Sequence, residues 1–167
     1  MKKSLLLLLC ALVLSGCAVS FKFNGASIDY SKTKTISILD FPNHAELVNP
    51  NLSSEFSEAV RDQFSRQTRL QLVQRDGDLH IEGEITGYQV QSMAVSADSY
   101  AAQTKLTLTI KVRFSNKVNP EDDFERNYTA YQTFDSNSML NDVQDELCRI
   151  MSQEIAEKIY NDTVAKW

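Results

Sequence analysis

Histidine is nearly absent from this chain of 167 residues, which carries only His44 and His80. His80 alternates with Leu79 and Ile81 and is expected to point away from a core, while His44 falls in a loop beside Pro42. Neither has the neighbours that a zinc site or a nucleophile–base pair requires. There is no Gly-rich phosphate loop, no G-x-S-x-G elbow and no metal-spaced cluster of His and Cys, so the sequence offers no catalytic constellation and calls for no cofactor. Carboxylates occur throughout, but scattered over helix surfaces they serve solvation. Positive charge is scarce too, with 17 Lys and Arg against 22 Asp and Glu. That balance argues against nonspecific nucleic-acid binding, for which a basic face is expected. No apolar run reaches the roughly 20 residues that a membrane-spanning helix needs.

What the chain does have begins at its amino terminus. Met1-Lys2-Lys3-Ser4 leads into the apolar block Leu5 to Leu14, which closes on Ser15-Gly16-Cys17, the layout of a secretory signal peptide over residues 1–16. Leu14-Ser15-Gly16-Cys17 resembles the lipobox of bacterial lipoproteins. The resemblance implies that the Cys17 thiol receives a diacylglyceryl group, that the signal is cut before it, and that the new amino terminus is acylated. Each buried methylene adds about 0.8 kcal/mol, so three acyl chains anchor a protein almost permanently. Ala18, Val19 and Ser20 follow with no acidic residue, the pattern expected of an outer-membrane lipoprotein facing the periplasm. Cleavage takes Lys2, Lys3 and Cys10 with it and moves the formal charge from −5 to −7. With Cys17 lipidated, Cys148 stands alone, so no intrachain disulfide framework exists and a buried apolar role is expected for its thiol. The remaining residues, 17–167, suit one domain with a lipidated tether.

Along that domain, Phe21 to Ser31 reads as a short polar lead-in whose Phe21, Phe23, Ile28 and Tyr30 can pack once folded. Thr35 to Phe41 alternates and is rich in branched residues, a strand that Pro42 ends. Leu52, Phe56, Val60 and Phe64 recur at four-residue steps, which predicts an amphipathic helix ending near Gln67 and capped by Asn51 or Ser53. Leu70 to Val73 is a short extended piece, and Asp76-Gly77-Asp78 a turn signal. Leu79, Ile81, Gly83 and Ile85 alternate with polar residues in a half-exposed strand to Val90. The cleanest alternation is Leu106, Leu108, Ile110, Val112 and Phe114, set against Lys105, Thr107, Thr109, Lys111 and Arg113. Phe124, Tyr128, Ala130 and Phe134 share a parity and suggest its antiparallel partner. Residues from Val143 to Val164 follow helical spacing behind a start capped from Asp135 to Ser138, and Trp167 can pin the end. Strand, helix, strands, helix gives an α+β two-layer sandwich: about four main strands, with both helices on the dry face and the opposite face left open.

Two stretches carry candidate contacts. Gln91 to Ala102 is too long for a simple hairpin turn and is either a functional loop or a mere hairpin tip. Its Met93 and Tyr100 have no core register and are candidate partner contacts. Lys105, Lys111 and Arg113 share the wet face of the longest strand. They either meet phosphates, where charge-assisted bonds are strong, or keep an exposed strand soluble.

The lipobox, Phe23-Asn24-Gly25-Ala26-Ser27-Ile28, the Thr35 to Phe41 strand, the Leu52 to Gln67 helix, the Leu79 to Tyr88 strand and the helix around Asp142-Val143-Gln144-Asp145-Glu146-Leu147 together resemble the LptE family of lipopolysaccharide-assembly lipoproteins. The resemblance covers nearly the whole mature chain. It implies two helices on a four-stranded sheet and a noncatalytic role as a plug in the outer-membrane β-barrel LptD. The two together deliver lipopolysaccharide to the outer leaflet. On that reading Lys105, Lys111 and Arg113 are candidate lipopolysaccharide contacts, and Met93 and Tyr100 candidate barrel contacts. An alternative is a periplasm-facing lipoprotein that activates or tethers a cell-wall enzyme. A carrier of soluble ligands is disfavoured, because a two-layer sandwich of this size offers no obvious cavity.

Overall fold

A computed structural model describes residues 28–47, 49–93 and 102–165; Cys17, Phe21, Phe23, Tyr100 and Trp167 lie outside them. The chain forms β1 (Thr35–Ile38), α1 (Leu52–Gln67), β2 (Gln71–Val73), β3 (Leu79–Ser92), β4 (Gln103–Asn116), β5 (Phe124–Asp135) and α2 (Leu140–Thr163). The sheet is mixed, in the order β2-β1-β3-β4-β5. β1 runs parallel to both its neighbours, and β3, β4 and β5 form an antiparallel meander. The two-layer α+β class is as the pattern predicts, but the strand count is five rather than four. The extra strand is the three-residue edge β2, too short to display an alternation.

Alternation decides which face is dry. Leu106, Leu108, Ile110, Val112 and Phe114 of β4 are all buried, and with them Ile81 and Ile85 of β3 and Tyr128 and Ala130 of β5. Onto this face α1 lays Leu52, Phe56, Val60 and Phe64, and α2 lays Cys148, Met151, Ile155 and Ile159, in one continuous core with Ile36 and Phe41. Ile28 and Tyr30 of the lead-in pack against its rim. Phe64 and Tyr160 meet edge-on at 5.6 Å where the two helices touch. A one-residue bulge at Thr86, between the pairs Ile85↔Ile110 and Gly87↔Thr109, shifts the phase of β3 so that Tyr88 rather than Gly87 faces the core.

The strand predicted over Thr35 to Phe41 is regular only to Ile38, because Phe41 leaves the ladder and turns inward. Its ring lies against Phe56 at 4.8 Å and 90°. Its backbone is held by α1 instead of a strand: the Phe41 N–H donates to Ser57 Oγ at 3.0 Å, and Ser53 Oγ donates to the Phe41 carbonyl at 2.7 Å. Gly83 makes room for the ring, since a Cβ there would lie 2.8 Å from Phe41 Cε1 and 2.1 Å from the Lys111 carbonyl oxygen. The chain then rejoins the sheet through a bridge between Asn43 and Ile85.

β2 and β3 flank β1 on opposite sides, so residues 74–78 must cross β1. They cross on the open face, over Ser37, whose Oγ accepts from the Gly77 N–H at 3.3 Å. A Cβ on Gly77 would come 2.5 Å from the Ser37 nitrogen and 2.8 Å from the Ile36 carbonyl carbon, so only glycine passes. Asp76, with φ of 60°, makes the turn into the crossing, and Asp78 closes it by accepting from the N–H groups of Lys34 and Thr35 at 2.8 and 2.9 Å. These bonds hold the Asp78 carboxyl below its ordinary range.

The first helix starts where the sequence predicts, the second one residue past the expected cap, and neither carries a side-chain cap bond. Asn51 occupies the N-cap position of α1 without a side-chain cap bond; the turn before it is tied by Asn49, whose Oδ1 accepts from the Asn51 N–H at 3.0 Å. The N-cap of α2 is Met139, and Asp135 caps the preceding turn by accepting from the Asn137 N–H at 2.8 Å.

Candidate functional site

The open face of the sheet divides into two zones. In the first, nearer β1, Arg113 stands in a cross-strand row between Glu82 of β3 and Glu125 of β5. Its guanidinium bonds Glu82 at 3.0 Å and Glu125 at 2.9 and 3.1 Å. Lys111 adds an ion pair to the other oxygen of Glu125 at 2.8 Å. These charge-assisted bonds raise Arg113 and lower Glu125 from their ordinary values. A groove of about 370 Å³ runs beside them, lined by Asp40, Glu82, Glu84 and Glu125 as well as by the two cations. His80 bonds Ser37 Oγ through Nδ1 at 2.7 Å, and its Nε2 lies 3.5 Å from Glu82; His44 sits 3.8 Å from Glu84. Both histidines are thus attached to the rim of this zone. Among the described residues no group of three or more His, Cys, Asp or Glu is placed to hold a metal ion.

The second zone lies toward the far end of the hairpin and is nearly neutral. Register aligns Gln89, Thr107 and Tyr131 in one row and Gln91, Lys105 and Thr133 in the next. Lys105 rests its ammonium over the Tyr131 ring, 4.5 Å from the centroid. Tyr131 is 57% exposed. The three cations singled out by the alternation therefore share a face but not a cluster. Six residues of strand, about 20 Å, separate Lys105 from Lys111, and Lys111 and Arg113 converge on the same carboxylate. Sequence reasoning passed over Glu82, Glu125 and Tyr131. Tyr131 was within reach, because the parity that buries Tyr128 and Ala130 puts it outside; the two glutamates depend on cross-strand register, which a single strand does not reveal.

Beyond this zone, the Met93 N–H donates to the Gln103 carbonyl at 2.9 Å and closes the hairpin. Met93 is exposed, as are Val90 and Met139, an apolar group at one pole of the domain. Inside the same end, Cys148 is buried, the role expected of a lone thiol. Its thiol donates to Tyr88 Oη at 3.5 Å and accepts from Asn49 at 3.6 Å. Burial pushes the thiol up from its ordinary value, which keeps it protonated and unreactive. Tyr88 is likewise raised, chiefly by burial.

Fold and face define a two-layer α+β domain whose chemistry is on an open sheet and a hairpin pole rather than in a reactive cleft. Among the described residues no helix is long and apolar enough to cross a membrane. The chain belongs to the LptE lipopolysaccharide-assembly family, whose model matches residues 33–163. It is, at that level, a lipopolysaccharide-assembly lipoprotein of the outer-membrane class. Solved structures similar to it include a minor lipoprotein from Acinetobacter baumannii, 16% identical at a TM-score of 0.49, covering 76% of this chain and 89% of that one. The rare lipoprotein B from Shewanella oneidensis is 11% identical at 0.48, covering 76% and 92%. PelC from Paraburkholderia phytofirmans, a dodecamer, is 9% identical at 0.49, covering 81% and 90%. No curated protein matches the sequence.

Proposed function

We propose that the mature chain, anchored by a lipid on Cys17, is the noncatalytic partner of the outer-membrane β-barrel LptD. It sits in the barrel from the periplasmic side and supports both assembly of the barrel and insertion of lipopolysaccharide into the outer leaflet. The observation that carries this reading is the family match across residues 33–163, nearly the whole folded domain. The distribution of surfaces supports it. Both helices spend their apolar stripes on the sheet, which leaves the open face and the pole around Val90, Met93 and Met139 for partners. Met93 and Tyr100 are the proposed barrel contacts, and Lys105, Lys111 and Arg113 the proposed lipopolysaccharide contacts. Of these cations Lys105 is the best placed for a phosphate, since its ammonium rests on a ring while the other two share Glu125.

Affinity isolation of the lipidated protein in mild detergent, followed by mass spectrometry, tests the reading. LptD retained as the main partner is the expected result. Retention of a peptidoglycan synthase without the barrel would overturn it and favour the tether to a cell-wall enzyme.

A further inference from the structure

Of the three cations on the open face, Lys105 alone has no carboxylate partner among the described residues. Its ammonium is held instead over Tyr131, 4.5 Å from the ring centroid. The two side chains are diagonal neighbours on adjacent strands, since Lys105 opposes Thr133 and Tyr131 opposes Thr107. Tyr131 is 57% exposed, and the residues that share these rows, Gln89, Thr107, Gln91 and Thr133, are polar without being charged. One row further on, Thr109 Oγ1 and Thr129 Oγ1 lie 3.3 Å apart. The result is an aromatic ring on an open floor of hydroxyls and amides, with one cation at its side. The nearest carboxylate along β5 is that of Asp135, which is spent on the Asn137 N–H at 2.8 Å and on Asn137 Nδ2 at 2.9 Å.

Each part of this arrangement has its counterpart in one kind of ligand. The C–H groups of a pyranose ring carry partial positive charge and pack against the negative face of an aromatic ring. Sugar hydroxyls both donate and accept, as do the amide of Gln and the hydroxyl of Thr. A phosphate on the sugar meets an ammonium for which no carboxylate competes. An acyl chain fits poorly, because it would strip water from the hydroxyls and amides without replacing their hydrogen bonds. The charged zone suits the same saccharide less, since four carboxylates line its groove beside two cations.

We propose that Tyr131 is the stacking platform for a pyranose ring of a phosphorylated saccharide, with Lys105 on its phosphate and Gln89, Gln91 and Thr107 on its hydroxyls. This rests on the reading of lipopolysaccharide as the ligand and narrows it, because the sheet then recognises the sugar and phosphate portion rather than the acyl chains. The platform lies beside the pole that carries Met93, so a domain with that pole against the barrel presents the saccharide at the same end.

Saturation-transfer NMR and titration on the mature chain test the platform with three probes: intact lipopolysaccharide, the phosphorylated oligosaccharide left when its acyl chains are removed, and inorganic phosphate. The oligosaccharide is expected to bind, with sugar-ring C–H protons receiving saturation. Tyr131→Ala is expected to weaken it about 10-fold, Tyr131→Phe less than about 2-fold, and Lys105→Gln about 10-fold. Phosphatase treatment of the oligosaccharide should cost the parent the same factor as Lys105→Gln and cost that variant nothing more. Tyr131→Ala that binds like the parent, or inorganic phosphate that competes on equal terms with the oligosaccharide, would overturn the platform and reduce the site to a single charge. Intact lipopolysaccharide that binds while the oligosaccharide does not would also overturn it, and would leave the function proposed above in place. If neither binds, the reading beneath the platform falls and the platform with it.

Discussion

One glycine and one aspartate carry much of the topology. Gly77 crosses the backbone of β1 so closely that a methyl group has nowhere to go, whereas a Cβ on Gly87 meets only the Thr109 side chain, at 3.2 Å. Gly77→Ala should therefore cost about 2 kcal/mol or more, and Gly87→Ala less than about 1 kcal/mol, as measured by urea unfolding. Asp78 closes the crossing with its carboxylate, and its folded-state value is depressed by those hydrogen bonds. A depressed carboxylate contributes stability that is complete above its unfolded value and fades as pH falls through the folded one. Parent and Asp78→Asn should accordingly differ fully at pH 6, above the unfolded value, and converge only as pH falls through the depressed folded value. A stability difference that does not change with pH would show that the charge of Asp78 does not hold the crossing.

Among the elements, β4 was the most legible, since five apolar residues at period two name one dry face and nothing interrupts them. Leu108→Asp buries an unpaired charge, costing several kcal/mol of a domain total of about 5–15, and should unfold the protein. Thr109→Asp, one residue along on the open face, should shift thermal stability only slightly; equal loss in the two variants would reverse the face assignment. Both helices were legible from their stripes, but their caps were not, because Asn51 and Asp135 spend themselves on neighbouring turns or leave the helix end uncapped. β1 was overrun at Leu39 to Phe41, where two serines of α1 outcompete the ladder for the Phe41 backbone. The Thr86 bulge was invisible because Gly87 and Tyr88 read equally well in either phase. For the site, the common face of Lys105, Lys111 and Arg113 followed from parity. Their separation into a neutralised pair and a lone cation followed from register with β3 and β5, which no local pattern encodes.

At the scale of the whole molecule, the fold places its own apolar surface on the sheet and leaves a charged zone, a neutral zone and an apolar pole for everything else. Attachment to the membrane rests on the lipid proposed at Cys17. Cys17→Ser should eliminate acyl labelling, leaving membrane association dependent on the uncleaved signal or on the partner; labelling that persists would move the modification elsewhere. The central claim is that the domain seats its hairpin pole against the barrel. A photo-crosslinking residue placed at Met93, on the pole, and at Glu58, on the outer face of α1, reads this out in living cells. The account predicts a Met93 adduct with LptD and a weaker one or none from Glu58; an adduct from Glu58 with none from Met93 would contradict it.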